Sequence, residues 1–229
     1  MTELFITATD TDAGKTYFSQ VLVTALVQHG LKVAVFKPIS AGCELLSVQN
    51  GEQLVNEDAV KLFEAANSSQ TLAQINPIMF EEPIAPHIAA KKQNQTIELE
   101  DIYRYYQRNK QLKSDVLITE GAGGWRLPLG HGKYLSEFVT MTNQKVILVV
   151  NMKLGCLNHA ILSFESIVAD GLTCIGWVAN CPETMDYLSE NIDELKNLLP
   201  VPLLAKLPKQ TNIEQAAANV DLKRFFAAL

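Results

Sequence analysis

At 229 residues, with 48% hydrophobic and 19% charged side chains, the chain has the length of one domain and is too apolar to be disordered. Its formal charge of −6 argues against sequence-independent binding to DNA, RNA or anionic lipid, although a small anion can still be held in a local pocket. No apolar run approaches the ~20 residues of a membrane span and Met1-Thr2-Glu3 carries no basic leader, so a cytoplasmic protein with no membrane or nucleic-acid partner is expected.

The chain opens with Leu4-Phe5-Ile6-Thr7, a short apolar strand. Polar residues and Gly14 follow, then helical periodicity from Tyr17 to Val27 that ends near Gly30. Lys32 to Phe36 reads as the second strand, halted by Lys37-Pro38. Residues 43 to about 112 are more polar and mostly lack strand signals, so they read as an insertion beside the sheet, with Asp58 to Ala66 as an amphipathic helix. Further buried-type strands are Val116 to Thr119, Lys145 to Val150, Thr173 to Ala179 and Pro202 to Ala205, with helical patterns over Asn158 to Ala169 and Tyr187 to Leu198. Apolar strands alternating with helices predict a single α/β domain over 1–229, doubly wound, with a mainly parallel sheet and helices on both faces. Cys43, Cys156, Cys174 and Cys181 form no C-x-x-C pair and have no His at metal-ligand spacing, so buried reduced thiols are expected.

The strongest chemical signal is Ala8-Thr9-Asp10-Thr11-Asp12-Ala13-Gly14-Lys15-Thr16, between a strand and a helix. Amides at a helix N-terminus point at an anion, Lys15 adds a cation, and the Thr16 hydroxyl can ligate Mg²⁺. The match to a phosphate-binding loop is imperfect, because Thr9 stands where the G-x-x-x-x-G-K-[ST] pattern has glycine. Lys37 ends the second strand, where doubly wound sheets bind ligands; a solvated lysine is the alternative. Glu120, in Thr119-Glu120-Gly121-Ala122-Gly123-Gly124-Trp125, sits just past a buried strand, where the acidic Mg²⁺ ligand of such proteins belongs. Asp58 is either a second metal carboxylate or a helix N-cap, with Asn56 and Glu57 competing for the cap. Asn151 to Ala160 is another strand, glycine turn and helix start, with amides able to hold a carboxylate. Asn180 ends a strand with a side-chain amide suited to a purine edge, or is a turn asparagine. Trp125 and Trp177 are expected to pack.

In order and spacing these segments resemble dethiobiotin synthetase, a P-loop NTPase-like three-layer family, from Phe5 to about Pro208. The resemblance includes Asn76-Pro77, Glu82-Pro83 and Pro86-His87-Ile88-Ala89. It implies that 7,8-diaminopelargonic acid, CO₂ and ATP are joined into dethiobiotin, with ADP and phosphate released, through a carbamate and a carbamic-phosphoric anhydride. Carried over by motif, Lys37, Lys15 and Thr11 are catalytic. Asp12, Ala13, Gly14, Lys15, Thr16, Tyr17, Glu120, Gly123, Asn180, Leu207 and Pro208 bind the nucleotide, and Thr16, Asp58 and Glu120 hold Mg²⁺. Lys37 and the run Lys153, Leu154, Gly155, Cys156 and Asn158 bind substrate, its carboxylate being received across a homodimer interface.

Ala8 and Asp12 replace the family's usual glycine and glutamate, and a positive φ at Ala8 would cost roughly 1 kcal/mol or more. Ser40-Ala41-Gly42 moves the family's hydroxyl one residue earlier, so Ser40 is left out of the catalytic set, and His87 is assigned no chemistry. The alternative of another class is an ATP-driven partitioning switch, whose loops carry a lysine at the place of Asp10; a glutamine-dependent amidating ligase would need a domain this chain has no room for.

Overall fold

The computed structural model describes residues 1–48, 51–209 and 212–229. The first strand, β1 (Thr2–Ala8), is buried from Leu4 onward and sends alternate side chains to opposite faces. Phe5 enters one apolar core, while Leu4, Ile6 and Ala8 enter the other. Two cores on the two faces of one strand require a covering layer on each side.

Helix α1 (Lys15–Gln28) follows directly, then β2 (Val33–Phe36), β3 (Ile39–Ser40) and an antiparallel hairpin of β4 (Glu44–Val48) and β5 (Gly51–Val55). Next come α2 (Glu57–Ala65), α3 (Leu72–Ile75), β6 (Ile78–Met79), α4 (Pro86–Lys92) and α5 (Leu99–Lys110). The chain continues through β7 (Val116–Glu120), β8 (Pro128–Gly130), β9 (Lys133–Tyr134), α6 (Leu135–Thr142) and β10 (Lys145–Asn151). It ends with α7 (Cys156–Ala169), β11 (Cys174–Cys181), α8 (Leu188–Leu198), β12 (Leu203–Pro208), α9 (Ile213–Ala217) and α10 (Leu222–Ala228).

Six strands form one parallel sheet in the order β12-β11-β10-β1-β7-β2. On one face lie α1, α2, α9 and α10, through Phe18, Leu22, Leu62, Ala216 and Phe225. On the other lie α4 to α8, through Ala90, Ile102, Phe138, Ala160 and Leu195. The doubly wound three-layer architecture expected from the alternation of elements is therefore the one observed.

Residues 43–112 hold more regular structure than their polarity suggests. They contain the β4–β5 hairpin, β6 paired parallel to β3, and helices whose buried Leu62, Ile102 and Tyr106 belong to the two sheet cores. The hairpin escapes a sequence reading because Leu45 and Leu46 are both exposed, so no apolar-in, polar-out alternation marks it. Gln49 and Asn50, within the stretch read as an insertion, lie outside the described residues. Among the described residues no helix is long and apolar enough to cross a membrane. All four cysteines are free and buried, and burial pushes the Cys174 thiol up to about 11.

Candidate active site

Strand order decides which residues meet. β7 lies between β1 and β2, and all three run parallel, so their C-terminal ends open on the same side. Thr16 follows the turn after β1, Glu120 ends β7 and Lys37 follows β2. The Thr16 hydroxyl and the Lys37 ammonium both donate to Glu120 Oε1, at 2.8 and 2.6 Å. Asp58 approaches Lys37 from α2 at 3.3 Å. Thr16, Lys37 and Asp58 line a cleft of about 790 Å³, together with Thr11 from the first turn, Lys15 and Tyr17 from the start of α1, and Pro83 to Pro86, while Glu120 itself is fully buried.

The first turn is shaped by its backbone. Gly14 caps α1 at φ 92°, and a Cβ there would overlap the side-chain amide of Asn180. Asn180 donates from Nδ2 to the Ala13 carbonyl at 3.0 Å, which ties the end of β11 to the turn. Lys15, 7% exposed, donates to the carbonyls of Gly123 and Asp10 at 2.7 and 3.3 Å. The ammonium is thus folded back across the turn, bracing it against the glycine loop after β7. Burial pushes Lys15 down to about 8, against the pull of Glu120 and with the repulsion of Lys37 added.

Lys37 is 4% exposed and Glu120 is fully buried, so the solvated-lysine reading fails. Burial alone would lower the Lys37 ammonium, but Glu120 and then Asp58 outweigh it and hold it above the usual lysine value. A buried pair of this kind costs several kcal/mol of desolvation per ion and is weak evidence for stability, so function is the better reason for its presence. Glu120 Oε2 is buried and has no hydrogen-bond partner among the described residues. An orphaned carboxylate oxygen beside a threonine hydroxyl and a second carboxylate is a hard-oxygen donor set, and it fits Mg²⁺. The competition for the α2 cap resolves to Asn56, whose side chain accepts from Ala59 N at 3.2 Å, leaving the Asp58 carboxylate to face the cleft.

A family model described as an AAA domain matches residues 2–217. The ATP-dependent dethiobiotin synthetase of Pseudoalteromonas translucida is 46% identical over 209 residues, covering 91% of this chain and 90% of its own. That of Alteromonas mediterranea is 47% identical over 225 residues, covering 93% and 95%. The chain belongs to the dethiobiotin synthetase family. A more distant member, from Pseudomonas paraeruginosa, is 37% identical over 226 residues, covering 97% of both chains. Among solved structures, the MinC:MinD cell division protein complex of Aquifex aeolicus matches with a TM-score of 0.61 at 13% identity, over 99% of this chain and 96% of that one. The signal recognition particle receptor FtsY of Elizabethkingia anophelis matches at 0.52 and 13% identity, covering 99% of this chain and 64% of that one. Both likenesses show the fold alone.

Within this dethiobiotin synthetase fold, the remaining residues singled out from the sequence fall in three places. Ala8 is an ordinary strand residue opposite Val149 and does not need positive φ, so the conditional cost does not arise there, whereas Asp12 sits in the first turn at φ 56°. Leu207 is buried opposite Asn180 in the sheet register, with Pro208 exposed beside it. Lys153 to Asn158 form the turn into α7 and do not line the cleft. Leu154 is 95% exposed, the Cys156 thiol is turned into the core, and Lys153 pairs with Asp10 at 3.3 Å. The Thr11 amide holds the Asp10 carboxyl below its usual range, with Lys153 contributing less. Where a partitioning switch carries lysine at position 10, this chain therefore has a paired aspartate, and the switch reading is not favoured.

Trp125 packs edge-on against Phe5 at 5.9 Å and donates to Asp170 at 2.9 Å, and Trp177 is fully buried, so neither is a stacking surface in the cleft. Sequence reasoning missed Asn76, whose side chain holds the Lys37 backbone; its only signal was a place in the family-like Asn76-Pro77 pair. It also gave no role to Pro83 to Pro86, which line the cleft and whose prolines entered only through the resemblance.

Proposed function

We propose that the chain is an ATP-dependent cyclo-ligase that joins 7,8-diaminopelargonic acid and CO₂ into the cyclic urea of dethiobiotin, releasing ADP and phosphate in biotin biosynthesis. The observation that carries this reading is the meeting of the first turn's Thr16 with Lys37 on one oxygen of Glu120, in a cleft that Lys15 also lines.

In balanced form, one amine of the substrate adds to CO₂, loses a proton and becomes a carbamate. A carbamate oxygen attacks the γ-phosphorus of ATP, and ADP departs. The second amine attacks the carbonyl carbon of the resulting carbamic-phosphoric anhydride, a proton is lost, and phosphate leaves as the ring closes. Phosphoryl transfer needs positioning and charge neutralisation more than covalent help. Lys15 and the amides of Asp12 to Thr16 bind the phosphate tail, with Thr11 and Tyr17 at its margins. Lys37 exchanges its carboxylate partners for the carbamate and γ-phosphate oxygens, where negative charge collects during transfer. Asn180, Gly123 and the backbone at Leu207 and Pro208 hold the rest of the nucleotide. Thr16, Asp58 and Glu120 would hold Mg²⁺, which when bound neutralises phosphate charge. The carboxylate of the substrate is received at the start of α7, from Lys153 to Asn158, across the interface of a homodimer in the cytoplasm.

An ADP-release assay with the diamine, bicarbonate and ATP tests this reading, each component being omitted in turn. Release that depends on all three is expected; release unchanged without the diamine sinks it.

A further inference from the structure

We infer that Ser40 and Asn76 are positioning residues for Lys37, acting through its main chain; the inference rests on the role given to Lys37 above. Among the described residues β2 is an edge strand, paired only to β7, and its ladder stops at Phe36. The next residue, Lys37, therefore needs partners from elsewhere. Its amide donates to the Ile75 carbonyl at 2.8 Å and its carbonyl accepts from Asn76 Nδ2 at 2.7 Å. Consecutive residues at the end of α3 thus grip both polar groups of the Lys37 backbone.

The Asn76 amide is itself oriented. With Nδ2 committed to the Lys37 carbonyl, Oδ1 faces the Ser40 hydroxyl, which donates to it at 2.6 Å. The Cys43 thiol lies 3.2 Å behind Ser40. Lys37, Ser40, Cys43 and Asn76 are all at most 4% exposed. A buried chain with every member partnered holds one geometry, and loss of the Ser40 hydroxyl leaves Asn76 Oδ1 unpaired. The consequence is mechanical. The Lys37 ammonium must leave Glu120 and Asp58 for a phosphoryl group, and a fixed backbone confines that movement to the side chain. It also gives the displaced serine of this sequence a purpose. Ser40 borders the cleft, but its hydroxyl is spent on Asn76 rather than offered to a ligand.

Four variants test the chain: Ser40→Ala, Ser40→Thr, Asn76→Ala and the Ser40→Ala/Asn76→Ala double. Ser40→Ala is expected to lower kcat about tenfold, the size of one lost buried hydrogen bond, while KM for ATP and for the diamine stays within about twofold. Ser40→Thr, which keeps the hydroxyl on a strand-compatible side chain, restores most of kcat. The double variant turns over no more slowly than Asn76→Ala, because Ser40 acts only through Asn76. If Asn76→Ala fails to fold, the Ser40 pair still decides. Wild-type kcat in Ser40→Ala, an equal rise in KM, or no rescue by Ser40→Thr overturns the inference. A wild-type enzyme that releases no diamine-dependent ADP overturns the functional reading instead, so the two failures are distinct.

Discussion

The turn after β1 and the turn after β10 differ in length, residues 9–14 against 152–155, yet both close on a left-handed glycine that starts a helix. The two strands are parallel neighbours, each ends in a turn, and each following helix is capped by a glycine at φ 92° or 91°. The turns even touch, through the Asn151 amide on Thr9 Oγ1 at 3.4 Å and the Lys153–Asp10 pair. What surrounds them differs. Gly14 is backed by Asn180, and Lys15 and Thr16 face a buried glutamate. A Cβ on Gly155 would meet nothing within 4 Å, and Leu154 stands in solvent. A glycine-capped helix start supplies amides; only convergence of a cation, a hydroxyl and a carboxylate on those amides makes a place for phosphoryl chemistry.

The sharpest way to break this contrast is to remove Lys37, the buried cation that meets the first turn's Thr16 on Glu120. Lys37→Gln is expected to lower turnover by about a thousandfold or more while changing ADP affinity by less than about threefold, since the charge it meets develops only during transfer. Steady-state kinetics beside calorimetric ADP titration reads both numbers, and a parallel collapse of ADP affinity removes the assigned role. Next in size is Gly14→Ala, which combines positive-φ strain with overlap on Asn180. A loss of about 2–4 kcal/mol in urea unfolding is expected, with ADP binding weakened about a hundredfold.

Acidity offers a milder probe. Lys15 sits near 8 in the nucleotide-free protein, well below its ordinary value, so it is partly neutral where an exposed lysine is fully charged. Phosphate binding favours the charged form. ADP affinity therefore falls as pH rises through about 8, and binding there takes up protons, measurable as a dependence of binding heat on buffer ionisation enthalpy. Stability moves the other way. Between about 8 and the unfolded value the unfolded chain binds more protons than the folded one, so the Lys15 contribution makes the nucleotide-free protein more stable as pH rises across that window. An ADP affinity that is flat from neutrality to pH 9 denies the buried setting of Lys15.

The smallest effect belongs to the second turn. Gly155→Ala has strain without overlap, so a cost of about 1 kcal/mol in unfolding is expected, with ADP affinity unchanged. A loss comparable to that of Gly14→Ala would erase the distinction between the turns.

Much of this was legible in the chain, and the parts that were not share one cause. The strand–Gly14–helix unit and the carboxylate at the end of β7 were readable because strand hydrophobicity and glycine placement act within a few residues. Asn56 could not be preferred over Asp58 as the α2 cap, since both are good caps and only the Asn56 hydrogen bond to Ala59 N and the contact of Asp58 with Lys37 separate them. Ser40 was left without a role because its partner lies 36 residues away. The β4–β5 hairpin was invisible because exposed leucines break the alternation that marks a strand.

By itself the sequence determined the layered α/β class, the first turn and the types of charged residue near it, because backbone preference and burial pattern are local properties of the chain. Residues 16, 37, 58 and 120 were grouped in the sequence only through the family resemblance, and the tertiary structure decided how they meet. Parallel pairing of β7 with both β1 and β2 brings three distant strand ends to one edge, and the low-dielectric core beneath them makes two buried opposite charges seek each other.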